Sequence, residues 1–319
     1  MKRRQLIHSA FALAAALPAL RAWAQEPSPF ETMEFDWADE KRQRAVPVRL
    51  YWPNNNAARV PLVVFSHGIG GSRRGYRYLG EHWSSNGIAS LHLQHVGSDR
   101  QIWFGNPLGL LGRVQDAAQE SEAIERPRDL SFALDTLLQG ALGERIDLKR
   151  IVAAGHSYGA NTTLLAAGAR VQREGRTVTL HDERVRAAIV LSAPPFYGEG
   201  DMARILGTVQ LPTLHVTATG DVIRIPGYWS DAADRIAVFD AVGSKHKALA
   251  MFEAGSHSMF TDRAGTGGAE LNPRVKQATK ELSLAFIQGA VERGSAPSLA
   301  PNLAPWAEQY RPILARFVA

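Results

Sequence analysis

The sequence predicts an α/β fold with a sheet of about eight mostly parallel strands and helices on both faces. Two observations carry that expectation. Short apolar runs rich in Val, Ile and Leu fall at residues 61–66, 88–94, 151–154, 186–191, 211–217 and 247–252, and such runs suit strands covered on both faces. Helix-like stretches fall between most of them, at 76–85, 127–139, 158–171 and 228–239, with a further one at 272–289. Alternation of this kind builds a parallel sheet through right-handed crossovers. Residues 30–37 and 45–52 instead alternate apolar and polar side chains, which predicts two antiparallel strands. The tail, residues 301–319, reads as a docked terminal helix. There is no internal repeat.

The first stretch reads as an export signal. Lys2, Arg3 and Arg4 precede an apolar run over residues 11–20, and Ala22-Trp23-Ala24 follows it. That is the charged, apolar and small-residue order of a cleavable leader, with cleavage expected after Ala24. Arg3-Arg4-Gln5-Leu6-Ile7 also resembles a twin-arginine signal. The apolar run is too short to span a bilayer comfortably, so no stable membrane anchor is expected after cleavage. The expected product, residues 25–319, is one domain that is periplasmic or secreted. Four of the 36 basic residues and none of the 31 acidic ones lie in residues 1–24, which leaves 32 against 31 and a net charge of +1. Such a balance gives no case for a nucleic-acid partner. There are no cysteines, which excludes disulfides, thiolate catalysis and cysteine-ligated zinc. The chain past the leader is long enough for one large apolar core.

Residues 97–126 break the alternation, lying between a strand and the helix expected at 127–139 and carrying Trp103, Phe104, Leu108, Leu110 and Leu111. An insertion there falls near the carboxyl ends of the strands, where open α/β sheets bind ligands. It reads either as a packed surface loop or as a short lid and pocket wall.

The strongest chemical signal is Gly155-His156-Ser157-Tyr158-Gly159, which follows the apolar run at 151–154 and opens a helix-like stretch. A serine on a sharp strand-to-helix turn has its hydroxyl lifted clear of the backbone, and glycines on either side remove side chains that would clash. The helix start then supplies free N–H groups and positive dipole to a developing negative charge. Ser157 is therefore the expected nucleophile. The expected oxyanion donors are the backbone N–H groups of Tyr158 and of Ile69, with Gly68 as second choice; the latter two belong to the glycine-rich loop Phe65-Ser66-His67-Gly68-Ile69-Gly70-Gly71 after an early strand. His67 precedes the nucleophile and is read as ordering that loop.

The general base is expected late in the chain. His257, in Gly255-Ser256-His257-Ser258, follows the last expected strand at its carboxyl end, whereas His246 precedes that strand at the wrong end. Asp221, in Thr219-Gly220-Asp221, ends the preceding strand and is the expected acid that orients His257. Asp231 and Asp234 fall on a helix-like stretch and are less suited. Trp103, Phe104, Phe196, Trp229 and Met259, together with Tyr158 and Tyr197, suggest an apolar subsite for the acyl or aromatic part of a substrate. No metal site is expected, since His92 and His95 lack an evident third ligand, and no cofactor fingerprint is present.

Residues 65–73 (F-S-H-G-I-G-G-S-R), 78–83 (Y-L-G-E-H-W), 94–99 (Q-H-V-G-S-D), 126–130 (R-P-R-D-L), G-H-S-Y-G, T-G-D and S-H together resemble the α/β-hydrolase superfamily. The likeness is strongest to bacterial dienelactone-hydrolase-like proteins and plasma-type platelet-activating-factor acetylhydrolases. The resemblance implies cofactor-free hydrolysis of short or truncated acyl esters. Two departures stand out. Dienelactone hydrolases proper use a cysteine nucleophile, which this chain lacks. Plasma-type acetylhydrolases carry their acid at the end of the strand after the nucleophile helix, where this chain has Ser192, so the acid moves to Asp221. Exported polyester hydrolases and cutinases share the same catalytic plan.

The expected activity is carboxylic-ester hydrolysis through an acyl-enzyme, acting on small-molecule or polymeric esters. The competing readings are the same triad acting on amides or peptides, and a binding protein that keeps the fold without turnover. Substrate identity and oligomeric state are not encoded in the motifs.

Overall fold

The computed structural model describes residues 28–173, 175–291 and 299–319. The export signal expected over residues 1–24 lies outside them. In chain order the elements are β1 (Phe30–Asp39), β2 (Arg44–Pro53), β3 (Val60–Ser66), α1 (Arg77–Ser85), β4 (Ala89–Leu93), α2 (Leu110–Ala117), α3 (Glu120–Gln139), β5 (Ile146–His156), α4 (Tyr158–Ala166), β6 (Arg170–Arg173), β7 (Arg176–Thr179), β8 (Val185–Leu191), α5 (Met202–Leu206), β9 (Thr213–Ala218), α6 (Ala232–Ala241), β10 (Lys247–Phe252), α7 (Leu271–Ala290), α8 (Ala300–Tyr310) and β11 (Leu314–Val318).

Among the described residues, nine strands form one sheet in the order β1-β2-β4-β3-β5-β8-β9-β10-β11. The strands from β4 to β10 in that order run parallel, while β1, β2 and β11 pair antiparallel at the two edges. Period-two alternation divides the central strands between two apolar layers. On one face Val63, Phe65, Val152 and Ala154 pack under Leu79 and Trp83 of α1 and Val275, Leu282 and Phe286 of α7. On the other, Leu62, Val64, Ile151 and Ala153 pack under Leu130, Leu134 and Leu137 of α3, and Ala188 and Val190 pack with Ala160 and Leu164 of α4. Both faces of the parallel strands are thus covered, so their sequences read as continuous apolar runs rather than alternating ones.

Four local differences from the sequence expectation have physical causes. The helix after Ser157 ends at Ala166 rather than near 171, because Gly168 takes φ 112, outside the helical region. The chain then forms the β6–β7 hairpin, turned at Gly175 with φ 73. Helix α3 begins at Glu120, with Pro127 in its interior instead of at its start. The tail is a helix only as far as Tyr310; Pro312 lies in a short turn, and β11 pairs with the free edge of β10, giving a ninth strand. Among the described residues, no helix is long and apolar enough to cross a membrane.

The fold buries several histidines in neutral form. Burial pushes His92, His156 and His215 down from 6.5 to about 3, and His67 and His95 are also held well below their ordinary value by burial and the nearby Arg126 charge. As the pH falls below 6.5 the unfolded chain takes up protons on these side chains while the folded one does not. Stability is therefore lost from about pH 6.5 downward until the folded groups titrate, by about 2 kcal/mol per histidine at pH 5. Thermal melts should show Tm dropping steeply between pH 7 and 5; a Tm flat over that interval would contradict the burial of neutral histidines.

Candidate active site

Strand β5 ends at His156 and delivers Ser157 into a strained turn with φ 56 and ψ −123, from which α4 starts at once. A non-glycine residue held there costs on the order of 1–3 kcal/mol, supplied by the surrounding fold. The flanking glycines are required by contact. A Cβ on Gly155 would lie 2.1 Å from the Gly159 carbonyl oxygen, and one on Gly159 would lie 2.0 Å from that of Ser66. The turn is pinned by Ser157 N–H donating to the Leu191 carbonyl at 2.8 Å, so β8 fixes where the serine stands.

Three carboxyl ends of strands converge on this hydroxyl. His257 lies in a short helical turn after β10, and its Nε2 is 2.7 Å from Ser157 Oγ. Its Nδ1 is 2.7 Å from Asp221 Oδ1, and Asp221 follows β9. The two loops touch through Gly220, where a Cβ would meet the Gly255 carbonyl oxygen at 2.5 Å. Asp221 is fully buried. Thr217 Oγ1 donates to its Oδ2 at 2.8 Å, and Arg235 Nη2 lies 3.4 Å from Oδ1. Burial alone would raise the Asp221 carboxyl, but the hydrogen bond and charge of His257 and the charge of Arg235 outweigh it and hold the group below the usual carboxylate range. An ionised Asp221 requires a proton on His257 Nδ1, which leaves the Nε2 lone pair facing the serine hydroxyl. His246 lies at the start of β10, at the opposite end of that strand from His257.

His156, beneath His257, braces that residue. Its Nε2 is 2.9 Å from the His257 carbonyl oxygen, which requires an N–H there; its Nδ1 therefore accepts from Tyr76 Oη at 2.8 Å.

The hydrogen bonds of the glycine-rich loop decide which amides are free. Gly68 N–H donates to Tyr76 Oη at 3.4 Å, Gly70 N–H to the Ser98 carbonyl at 2.9 Å and Gly71 N–H to the Gly68 carbonyl at 3.0 Å. His67 Nδ1 lies 2.7 Å from the same Gly68 carbonyl, and its Nε2 accepts from His95 N–H at 3.1 Å. In a trans peptide the C=O and N–H point in opposite directions. Anchoring the Gly68 carbonyl thus turns the Ile69 N–H the other way, and among the described residues it has no protein acceptor. The Tyr158 N–H, first in α4, has none either, as its place at a helix start dictates. Both residues line a cleft of about 960 Å³ that also contains Ser157 and His257.

The aromatic residues expected around that cleft divide. Trp103 and Phe196 line it. The Trp103 ring lies over Gly70, with Nε1 donating to the Gly70 carbonyl at 2.8 Å. Met259 does not line it: the residue is 0 % exposed and packs under Gly255 beside Phe252 and Phe260, because the turn that presents His257 points the next apolar side chain inward. Phe104 and Trp229 also stand outside the lining. Phe104 is 56 % exposed with Arg100 over its ring, and Trp229 is 60 % exposed on a surface loop. Cleft residues that sequence reasoning missed include Tyr228, Ile223, Ile225 and Val171 of the unforeseen hairpin. Only Tyr228, beside Trp229 in sequence, had a local signal. The insertion supplies α2, whose Val114 and Ala117 pack with Ile102 against Ile69 and Ile225, so it backs the cleft wall. Among the described residues, no group of three or more His, Asp or Glu side chains converges so as to hold a metal ion.

Comparison with known proteins agrees with this architecture. The family model for platelet-activating factor acetylhydrolase, isoform II, matches residues 41–102, the stretch from β2 through the glycine-rich loop to the start of the insertion. A ferulic acid esterase from Streptomyces cinnamoneus superposes with a TM-score of 0.59 at 23% identity, over 89% of this chain and 94% of that one. A cold-adapted esterase from an Arctic intertidal metagenomic library, solved with PEG bound, superposes with a TM-score of 0.51 at 17% identity, over 79% of this chain and 96% of that one. No curated protein matches the sequence. At these identities the likeness is one of fold, and the chain has the α/β-hydrolase fold.

Proposed function

We propose that the protein is a serine hydrolase of carboxylic esters of small molecules, with Ser157, His257 and Asp221 as its triad. The observation that carries this reading is the unbroken line Asp221–His257–Ser157, with both contacts at 2.7 Å, opening onto a cleft with two free amides. The matched acetylhydrolase family and the two esterases of the same fold support ester chemistry in particular.

In this mechanism Ser157 Oγ attacks the ester carbonyl while His257 Nε2 takes its proton. Asp221 stabilises the imidazolium that forms. The amides of Ile69 and Tyr158 receive the charge on the former carbonyl oxygen, in a site where fixed dipoles need no reorganisation. Collapse of the tetrahedral intermediate breaks the bond to the alcohol oxygen, which leaves with the proton from His257. Water, deprotonated by the same nitrogen, then attacks the acyl-enzyme carbonyl and releases the acid and Ser157. The match to an acetylhydrolase family supports short or truncated acyl chains as substrates. The leader-like start of the sequence supports action outside the cytoplasm.

The test is hydrolysis of p-nitrophenyl esters from acetate to palmitate by the protein lacking residues 1–24. Turnover should be fastest at the short end of the series and fall toward palmitate. A protein that hydrolyses none of these esters contradicts the reading, and one that prefers palmitate contradicts the chain-length part of it.

A further inference from the structure

Arg126, on α3, is 0 % exposed, and among the described residues it forms no ion pair. Glu122, one turn before it on α3, instead accepts from Arg44 Nη2 at 3.0 Å and Ser98 Oγ at 2.9 Å. A buried guanidinium without a carboxylate is expensive, and an apolar side chain would fill the same space at lower cost. What the cation does is visible in its bonds. Nη2 donates to the His67 carbonyl, the residue before Gly68 and Ile69. Nε donates to Thr162 Oγ1 at 2.9 Å, one turn along α4 from Tyr158. Nη1 donates to Ser98 Oγ at 2.6 Å, on the turn whose carbonyl receives Gly70 N–H. The guanidinium plane also lies over the Tyr158 ring, with Cζ 4.6 Å from its centre.

One planar group thus touches the loop bearing the Ile69 amide, the helix bearing the Tyr158 amide, and the turn that supports the loop. We propose that Arg126 is a positioning residue that fixes the separation and aim of the two oxyanion amides, with its charge placed behind both. The inference rests on the ester-hydrolase reading above. Burial lowers the guanidinium to about 10, which still leaves it charged near neutral pH. Lysine cannot replace it, because a single ammonium point charge cannot reach three acceptors in different directions while stacking on a ring. Arg126 does not line the cleft, so its loss should act on the transition state and not on substrate binding.

The test compares the wild type with Arg126→Gln and Arg126→Lys on p-nitrophenyl acetate. Each variant is checked by thermal melting and by inhibition with a trifluoromethyl ketone, whose adduct with the serine carries the same oxyanion. For folded variants, kcat should fall about 100-fold for Gln and about 10-fold for Lys with KM within about twofold, and the ketone should weaken by the same factor as kcat/KM. A folded Arg126→Gln with wild-type kcat, or one whose ketone affinity is unchanged, overturns the proposal. If neither variant folds, the near-isosteric Thr162→Val removes one anchor while leaving the charge in place. A kcat about threefold lower with a parallel loss of ketone affinity supports the proposal, and an unchanged kcat overturns it. Absence of turnover by the wild type overturns the ester-hydrolase reading and this inference together. Turnover by the wild type with unimpaired variants overturns this inference alone.

Discussion

Ser157→Ala should lower kcat on every ester the protein hydrolyses by about 10⁵- to 10⁶-fold, with little change in KM or Tm. Among the described residues the hydroxyl makes one side-chain hydrogen bond, to His257 Nε2, and the strained φ is imposed by backbone bonds that alanine keeps. The residual rate should still exceed that in water, because the amides of Ile69 and Tyr158 remain in place. Steady-state kinetics on p-nitrophenyl acetate, with a melt of the same sample, checks both parts. A variant that retains even a hundredth of the wild-type kcat would place the nucleophile elsewhere.

Asp221→Ala should be costly twice over. Without the carboxylate, nothing holds the proton on His257 Nδ1 or offsets the charge of the imidazolium, and kcat should fall about 10⁴-fold. The same change leaves Arg235, buried and bonded otherwise to Ser230 Oγ, without its carboxylate. Removing one partner of a buried pair costs about 3–5 kcal/mol, a drop in Tm of roughly 5–10 °C. The carboxyl is held below its ordinary 3.8 in the folded state, so its stabilising contribution is present above about pH 4 and is lost only as the pH falls through the depressed value. The Tm difference between wild type and variant should therefore persist from pH 8 to about pH 5. Full activity in Asp221→Ala would move the acid to another residue, and an unchanged Tm would mean that Arg235 is not held by this carboxylate.

Much of the arrangement was readable because strand order and loop position follow from local pattern. Buried parallel strands announce themselves as short apolar runs, and each residue of the proposed triad sits where such a run ends: Ser157 after β5, Asp221 after β9, His257 after β10. What could not be read depends on contacts across the fold. Pro127 argues for a helix start because it lacks an N–H, yet α3 carries it inside, and the turns before it are tied across the fold by Glu122 to Arg44 and Ser98 and by Arg126 to Thr162. The β6–β7 hairpin hides in a polar stretch, Gln172, Arg173 and Arg176, whose alternation is too short to read. Met259 carried no sign of facing inward, since its place in the core against Gly255 is a contact of the folded loop and not a local pattern. Arg126 stood in plain sight in the R-P-R-D-L stretch, but a sequence does not say that a cation is buried, nor what it holds.

The most direct test of the central claim is labelling with a fluorophosphonate, which reacts only with a serine activated by its base and aligned with an oxyanion site. On the protein lacking residues 1–24, peptide mapping should find the adduct on Ser157 alone, with loss of esterase activity in proportion to labelling and no adduct in His257→Ala. An unlabelled Ser157 in protein that still hydrolyses esters, or an adduct on a different serine, would contradict the account.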